Sequence, residues 1–348
     1  MNKIYIGFLK VDAIGHIWSN PLNIAPIIKN RKVILFYNLK YVCNKRSVTI
    51  LEDTLPSNYY LVSYNNFFDK ILRLIIELAL HLPFSLFLKK FDVSQVHVDS
   101  SMKRYGSKYC FHKFDDQLKI CYSRSISSRK QIFKNLLNKY KINYKSYILF
   151  FLRDEQYWGK EKLNQIRNSN IENFLPLIKL FIENQITVIR VGRSNISRKD
   201  YFRSEYYFDI SWFDKDPELY EDILFANSKM ILGSNSGIIQ YQKLENNPML
   251  ICNWIPPGIR PFYKNTLYLC KHFYYKGREI RPVNLNDALL LNEDIRDFNN
   301  KGIEVLENKS DLLINSAKEL IDFNNQKILN SNFEDSKDNS YDSIIKYI

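Results

Sequence analysis

Apolar positions along the chain alternate between two patterns. Short continuous apolar runs that stop at polar or glycine residues predict buried strands. Stretches with apolar residues three and four apart predict helices. In residues 1–135, "KIYIGFL" and "KVILFYN" predict strands, and a Gly15-His16 turn follows the first. A helix is predicted over 68–88, a third strand at "VSQVHVD" (93–99), and a basic helix at "SSRKQIFKNLLNKYKI" (127–142). Residues 145–290 alternate more regularly. Strands are predicted at "SYILFFLRD", "TVIRVG", "YYFDIS", "KMILG" and "PMLICNW". Between them, "IENFLPLIKLFIENQ" predicts a helix capped by Ser169 or Asn170, and "DPELYEDILFANS" a helix with Asp216 as N-cap and Pro217 in its first turn. A last amphipathic helix is predicted at "KSDLLINSAKELIDFNN". Strands alternating with helices of this length imply parallel sheets with helices on both faces. The divisions expected are a lobe at 1–140, a second lobe at 141–325 and a loose polar tail at 326–348. No repeat of fixed period is visible.

The apolar run Met230 to Leu232 stops at Gly-Ser-Asn-Ser-Gly, residues 233–237. Gly233 and Gly237 permit backbone angles that other residues resist. Ser234, Asn235 and Ser236 are residue types that start helices, here one expected over Ile238 to Leu244. A strand, a small-residue turn and a helix leave free N–H groups pointing outward, which suits an anion. The other reading is a tight turn with no ligand. The spacing is neither that of a P-loop nor GxGxxG.

Two more strand ends offer cations. Arg153 and Asp154 close the strand before the second lobe's first helix, and Arg190 ends the next strand, with Gly192 and Arg193 after it. A guanidinium grips a phosphate through two parallel hydrogen bonds. Arg153, Arg190 and the turn at 233–237 together describe a diphosphate site. The alternative for Arg153 is a structural pair with Asp154.

Composition narrows the partners. The 348 residues carry 50 Lys and Arg against 37 Asp and Glu, a formal charge of +13 with the basic residues spread along the chain. A polyanion or an anionic membrane surface would explain this charge, and so would the Lys-, Asn-, Ile- and Tyr-rich composition of an AT-rich genome. No RNA-binding signature is present. The five cysteines show no CxxC spacing and read as reduced thiols of a cytosolic protein. The first residues are too short and too polar for a signal peptide. In "FDKILRLIIELALHLPFSLFLKKF" (68–91), Arg73, Glu77 and His81 recur every four residues as one polar stripe until Pro83. The primary reading is a helix buried in its domain. The second is a helix on a membrane surface, flanked by Lys70, Lys89 and Lys90.

Other candidates are weaker in kind. Asp214 and Asp216 resemble a DxD metal motif, but Asp216-Pro217 is explained as a helix start. The histidines form no HxxxH pair, and no metal site is expected. His97 and Asp99 share a strand face. His16, on its glycine turn, is a natural base near neutral pH, with Asp12 as the competing base.

Several blocks resemble a family of bacterial glycosyltransferases associated with surface polysaccharides. They are Arg153-Asp154 with Tyr157, "RNSNIENFLPLIKL", "VIRVG", "DILFANSKMILGSNSG" and "GIEVLENKSDLL", in order across residues 145–320. The Gly15-His16 turn fits as well. The second lobe is also similar to the donor-binding lobes of heptosyltransferases and fucosyltransferases. These resemblances imply an α/β protein of GT-B-like fold, two Rossmann-like lobes with parallel sheets facing across a cleft. In fucosyltransferases a strand-end arginine holds the donor diphosphate, and Arg153 sits in a similar place. The sequence departs from both groups. "FFLRD" lacks the histidine before the arginine, and "GSNSG" lacks the heptosyltransferase aspartate and the histidine after it.

The implied activity is hexosyl or related sugar transfer, without metal or cofactor, from a nucleotide-sugar donor to a glycan or lipid-linked acceptor. The product would be a surface glycan such as lipopolysaccharide or capsule. The donor would contact Arg153, Asp154, Arg167, Arg190, Gly192, Arg193, Gly233, Ser234, Asn235, Ser236, Gly237 and Gln240, and His16 or Asp12 would serve the acceptor. The location implied is the cytoplasm, with peripheral contact to the inner face of an anionic membrane and no nucleic acid as partner. Two alternatives remain open, a nucleotide-sugar epimerase of similar fold and a non-enzymatic basic nucleic-acid-binding α/β protein.

Overall fold

The computed structural model describes residues 4–9, 17, 31–42, 45–55, 57–81, 88–91, 122–124, 126–140, 142, 147–153, 166–192, 204–210, 220–245, 247–255, 265–280, 298 and 300–329, and the structural statements below concern these. The chain forms two units, Met1–Ile132 with Gly237–Glu245, and Phe133–Ser236 with Asn246–Ile348.

In the first unit, strands β1 (Ile4–Phe8), β2 (Val33–Asn38), β3 (Tyr59–Tyr64) and β4 (Leu88–Phe91) form a parallel sheet in the order β3-β2-β1-β4. Helix α1 (Lys45–Thr54) buries Val48, Ile50 and Leu51. Helix α2 (Asp69–His81) buries Ile76. Two expectations change here. The helix expected over 68–88 ends at His81, two residues before Pro83, which cannot continue it, and 88–91 returns as β4. The primary reading of that helix as buried in its domain holds for the face with Ile76 only, because Ile71, Leu74, Ile75 and Leu78 are exposed. The third strand in sequence is β3, "YYLVSY", whose mixture of aromatic and polar residues hid it. The strand expected at 93–99 lies outside the described residues.

Helix α3 (Lys130–Lys139) leads into the second unit, turning Phe133, Leu136 and Leu137 inward. Strands β5 (Tyr147–Phe151), β6 (Thr187–Val191), β7 (Tyr207–Asp209), β8 (Met230–Ser234), β9 (Met249–Trp254) and β10 (Thr266–Cys270) form a parallel sheet in the order β10-β9-β8-β5-β6-β7. Every residue of β5, β6, β8 and β9 is buried. That is why they read as unbroken apolar runs, as central parallel strands do.

Helix α4 (Leu175–Glu183) follows a 3-10 turn whose cap is Asn170, with the side-chain oxygen accepting from Glu172 N at 3.0 Å. Leu177, Ile178 and Phe181 face the sheet, where they meet Leu313, Ala317 and Leu320 of α6 (Ser310–Leu329). Helix α5 (Glu221–Asn227) precedes β8. Its expected cap, Asp216-Pro217, lies outside the described residues. Helix α6 runs to Leu329, past the expected start of the tail.

A three-stranded antiparallel sheet, β11 (His272–Tyr275), β12 (Arg278–Ile280) and β13 (Ile303–Leu306) in the order β12-β11-β13, was not legible from periodicity. Its hairpin turns at Lys276 and Gly277, with φ of 50° and 77°. Two positive angles in succession make the tight two-residue turn that suits twisted strands.

Candidate functional site

The order of the six-stranded sheet fixes where a ligand can enter. From β5 the chain builds outward through β6 and β7, then returns to the other side of β5 as β8. Strands β5 and β8 flank this reversal, and open α/β sheets bind ligands just past the carboxyl ends of such strands. Phe151 of β5 pairs with Gly233 of β8 there. A Cβ on Gly233 would stand 2.3 Å from the Phe151 ring, so any side chain there would force that buried ring to move. Gly233 does not have a positive φ, contrary to the conformational role expected of it.

Beyond the strand ends, hydrogen bonds draw three segments together. Arg153 N donates to Ser234 Oγ at 2.8 Å, and Ser169 N donates to Arg153 O at 2.9 Å. Arg153 is buried at this junction and Ser234 completely so. Arg167 Nη2 donates to Asn235 Oδ1 at 3.2 Å, and Asn235 Nδ2 donates to the carbonyl of Ile255, just past β9. Hydrogen bonds thus bring together Arg153, Arg167, Ser234 and Asn235, four of the residues expected to contact a donor.

Arg167 has a particular electrostatic position. Burial pushes its guanidinium below the usual arginine range, and among the described residues no carboxylate opposes its charge. Its neighbour Asn168 is buried, and among the described residues neither its Oδ1 nor its Nδ2 has a hydrogen-bond partner. Buried amides normally have partners, so these two atoms suit a ligand.

The 167–173 segment is held from below. Lys271 Nζ donates to Asn168 O at 2.7 Å and lies 3.7 Å from Glu307 Oε1. Burial pulls the Lys271 ammonium below its usual range, and Glu307 opposes that shift. Glu307 Oε2 accepts from Asn170 N at 2.8 Å and Asn173 Nδ2 at 3.0 Å. Asn253 and Asn308 exchange two backbone-to-side-chain bonds of 2.7 Å each, and Asn253 Nδ2 donates to Ser169 Oγ at 3.1 Å. Asn168 lay within a resemblance block but was not singled out. Lys271 and Asn253 gave no sequence signal, because their partners lie far away in the chain.

Arg190 is a correction. It is not at the strand end but inside β6, in register with Asp209 of β7, and its Nη1 donates to Asp209 Oδ2 at 2.9 Å. Both side chains are buried, so the charge is answered within the sheet and not by a ligand. The signal was Asp209, an acid inside a predicted strand. The helix expected at Ile238 to Leu244 is also corrected. A seven-residue 3-10 helix, Gly237–Lys243, replaces it, and so short a helix offers little dipole to an anion.

Gly237 and Gln240 group with the first unit, where Tyr241 and Ser47 share a 3.0 Å hydrogen bond between their hydroxyls. Ser236 is partly exposed after Asn235. Gly192 has a φ of 97° in the turn after β6. Asp12, His16, Asp154 and Arg193 lie outside the described residues.

No family model matches the chain, and no curated protein matches its sequence. Solved structures do. A glycosyl transferase of family 9 from Veillonella parvula superposes with a TM-score of 0.51 at 10% identity, over 92% of this chain and 97% of that one. The chain has a GT-B-like fold. Its parallel sheets are those of two Rossmann-like lobes, and the strand reversal described above lies in the C-terminal one. E. coli ADP-heptose lipopolysaccharide heptosyltransferase II matches with a TM-score of 0.45 at 10% identity, over 83% of this chain and 96% of that one. E. coli heptosyltransferase WaaC with ADP matches with a TM-score of 0.45 at 9% identity, over 82% and 98%.

Proposed function

We propose that this chain is a glycosyltransferase that moves a sugar from a nucleotide-sugar donor to a growing surface glycan such as lipopolysaccharide or capsule. The observation that carries this reading is Arg167, a part-buried guanidinium at the strand reversal, bonded to a neutral amide. A part-buried guanidinium that no carboxylate opposes among the described residues favours an anion, and its planar fork suits a phosphate. The Asn168 amide beside it offers both a donor and an acceptor. Hydroxyls of a ribose or sugar, or the edge of a base, match that pair. An anion joined to a hydroxyl-rich group is what a nucleotide sugar presents, and the GT-B-like fold supports the same reading.

In the reaction, the acceptor oxygen bonds to the anomeric carbon as that carbon's bond to the donor phosphate oxygen breaks. The electron pair leaves with the nucleoside diphosphate. Negative charge grows on the departing oxygen, and in this reading Arg167 and Arg153 stabilise it without a metal. His16 or Asp12 takes the acceptor proton. The test is nucleoside diphosphate release from a panel of nucleotide sugars, with an extract-derived glycan as acceptor. The wild-type chain is expected to release diphosphate from one donor, and Arg167→Ala to lose activity by about a hundredfold, the range for removal of a charge-stabilising donor. Equal turnover by a folded Arg167→Ala would rule the reading out.

A further inference from the structure

Helix α2 is apolar on two separate faces. Ile76 is buried and Leu72 and Ala79 partly so, which places the 72-76-79 stripe against the domain. Ile71, Leu74, Ile75 and Leu78 follow the i, i+3, i+4, i+7 spacing of a second stripe. Each is 50–59% exposed, and Phe68 and Phe67, immediately before the helix, are 53% and 81% exposed. The two phenylalanines stack edge to face with centroids 5.3 Å apart. A monomeric soluble surface rarely gathers so many large apolar side chains in one line.

The charge of the first unit is lopsided. Residues 1–132 hold 20 of the 50 Lys and Arg but only 9 of the 37 Asp and Glu, a balance of +11 out of +13. The rest of the first unit, Gly237–Glu245, adds one lysine and one glutamate, which cancel. The net charge is therefore concentrated in one unit and not spread along the chain. Lys70 is exposed on the border of the apolar stripe. Arg73 is held by Asp69 at 3.0 Å and lies over the Phe8 ring at 4.3 Å, which fixes the helix on the unit.

We infer that the 67–78 face docks the first unit on an anionic lipid bilayer, with α2 lying in the interface. An apolar stripe set in a strongly basic unit matches acyl chains below and anionic headgroups around them. A second copy of the chain would bring two such basic units together and be repelled. A nucleic acid answers the charge but leaves the apolar stripe unmatched. The helix has 13 residues, a length of ~20 Å at 1.5 Å per residue, which is too short to span a bilayer. The inference is independent of the transfer reaction proposed above.

Flotation of the full chain with vesicles tests it. Vesicles of phosphatidylcholine with phosphatidylglycerol are expected to carry the chain at low salt, and those of phosphatidylcholine alone to carry little. The triple variant Ile71→Ser, Leu74→Ser, Leu78→Ser, and separately Phe67→Ser, change exposed positions only. The triple variant is expected to lower the vesicle partition coefficient by about tenfold or more, and Phe67→Ser by a smaller factor. Circular dichroism checks that each is folded, and Phe67→Ser keeps the test alive if the triple variant is not. No flotation with anionic vesicles overturns the inference, as does equal flotation of wild type and both variants, which means charge acts alone. A wild-type dimer that becomes monomeric in the variants also overturns it, because the stripe is then a protein interface.

Discussion

The strand order β3-β2-β1-β4 in the first unit is repeated as β7-β6-β5-β8 in the second, but the two sheets sit in different surroundings. Around the second, apolar residues turn inward. Strands β5, β6 and β8 are buried throughout, α4 and α6 pack against the sheet, and the charges of residues 133–348 nearly cancel apart from a balance of +2. Around the first, β3 is half open to solvent, α2 shows an apolar stripe outward, and residues 1–132 carry +11. One wiring therefore sits in two surroundings. A closed sheet holds a few hydrogen-bonded polar side chains at its strand reversal. An open one leaves an apolar stripe exposed.

The sharpest test of the closed unit is the buried pair Arg190–Asp209. Asp209→Ala leaves a guanidinium without its carboxylate inside the sheet and is expected to cost about 3–5 kcal/mol. Urea unfolding measures this. A loss under 1 kcal/mol would mean that Arg190 turns elsewhere and would restore it as a candidate for the ligand.

A smaller effect has the opposite sign. Asn168→Leu replaces a buried amide, without partners among the described residues, by an apolar side chain of similar volume. It is expected to raise the stability of the free protein by about 1–3 kcal/mol, the cost of an unmet buried polar group. It should also weaken nucleoside diphosphate binding. Gain without loss of binding would make Asn168 a structural defect and not part of a site.

The smallest effect belongs to the open unit. Leu74→Ser on the exposed stripe of α2 should change stability in solution by no more than about 0.5 kcal/mol, as at other surface positions. A loss of 2 kcal/mol or more, typical of a core leucine, would show that the stripe is covered in solution.

Sequence periodicity revealed most of the second lobe because its central strands are buried on both faces and therefore apolar throughout. It failed at β3, where one face meets water and polar residues interrupt the run, and at β4 and the antiparallel sheet, whose strands are three or four residues long. In the site, Arg153, Ser234 and Asn235 were legible because they follow apolar runs directly. Arg190 misled because a strand's last residues look alike in sequence, whether they face a ligand or a neighbouring strand. Asn168 and Lys271 were hidden for another reason. Their meaning comes from contacts across about a hundred residues, such as the 2.7 Å bond between Lys271 Nζ and Asn168 O, which no local pattern records. The stripe on α2 was visible as apolar spacing, but which of its two apolar faces met solvent was not.

The most direct measurement of the central claim is isothermal titration of nucleoside diphosphates into the wild-type chain and into Arg167→Ala. The wild-type chain is predicted to bind at least one of them. Loss of a charge-assisted hydrogen bond is worth about 1.5–3 kcal/mol, so the variant should bind that nucleotide roughly ten- to a hundredfold more weakly while keeping its unfolding transition. Equal affinity in the two proteins, or no binding of any nucleoside diphosphate by the wild type, would contradict the assignment of the strand reversal at Arg153, Arg167 and Asn235 as the donor site.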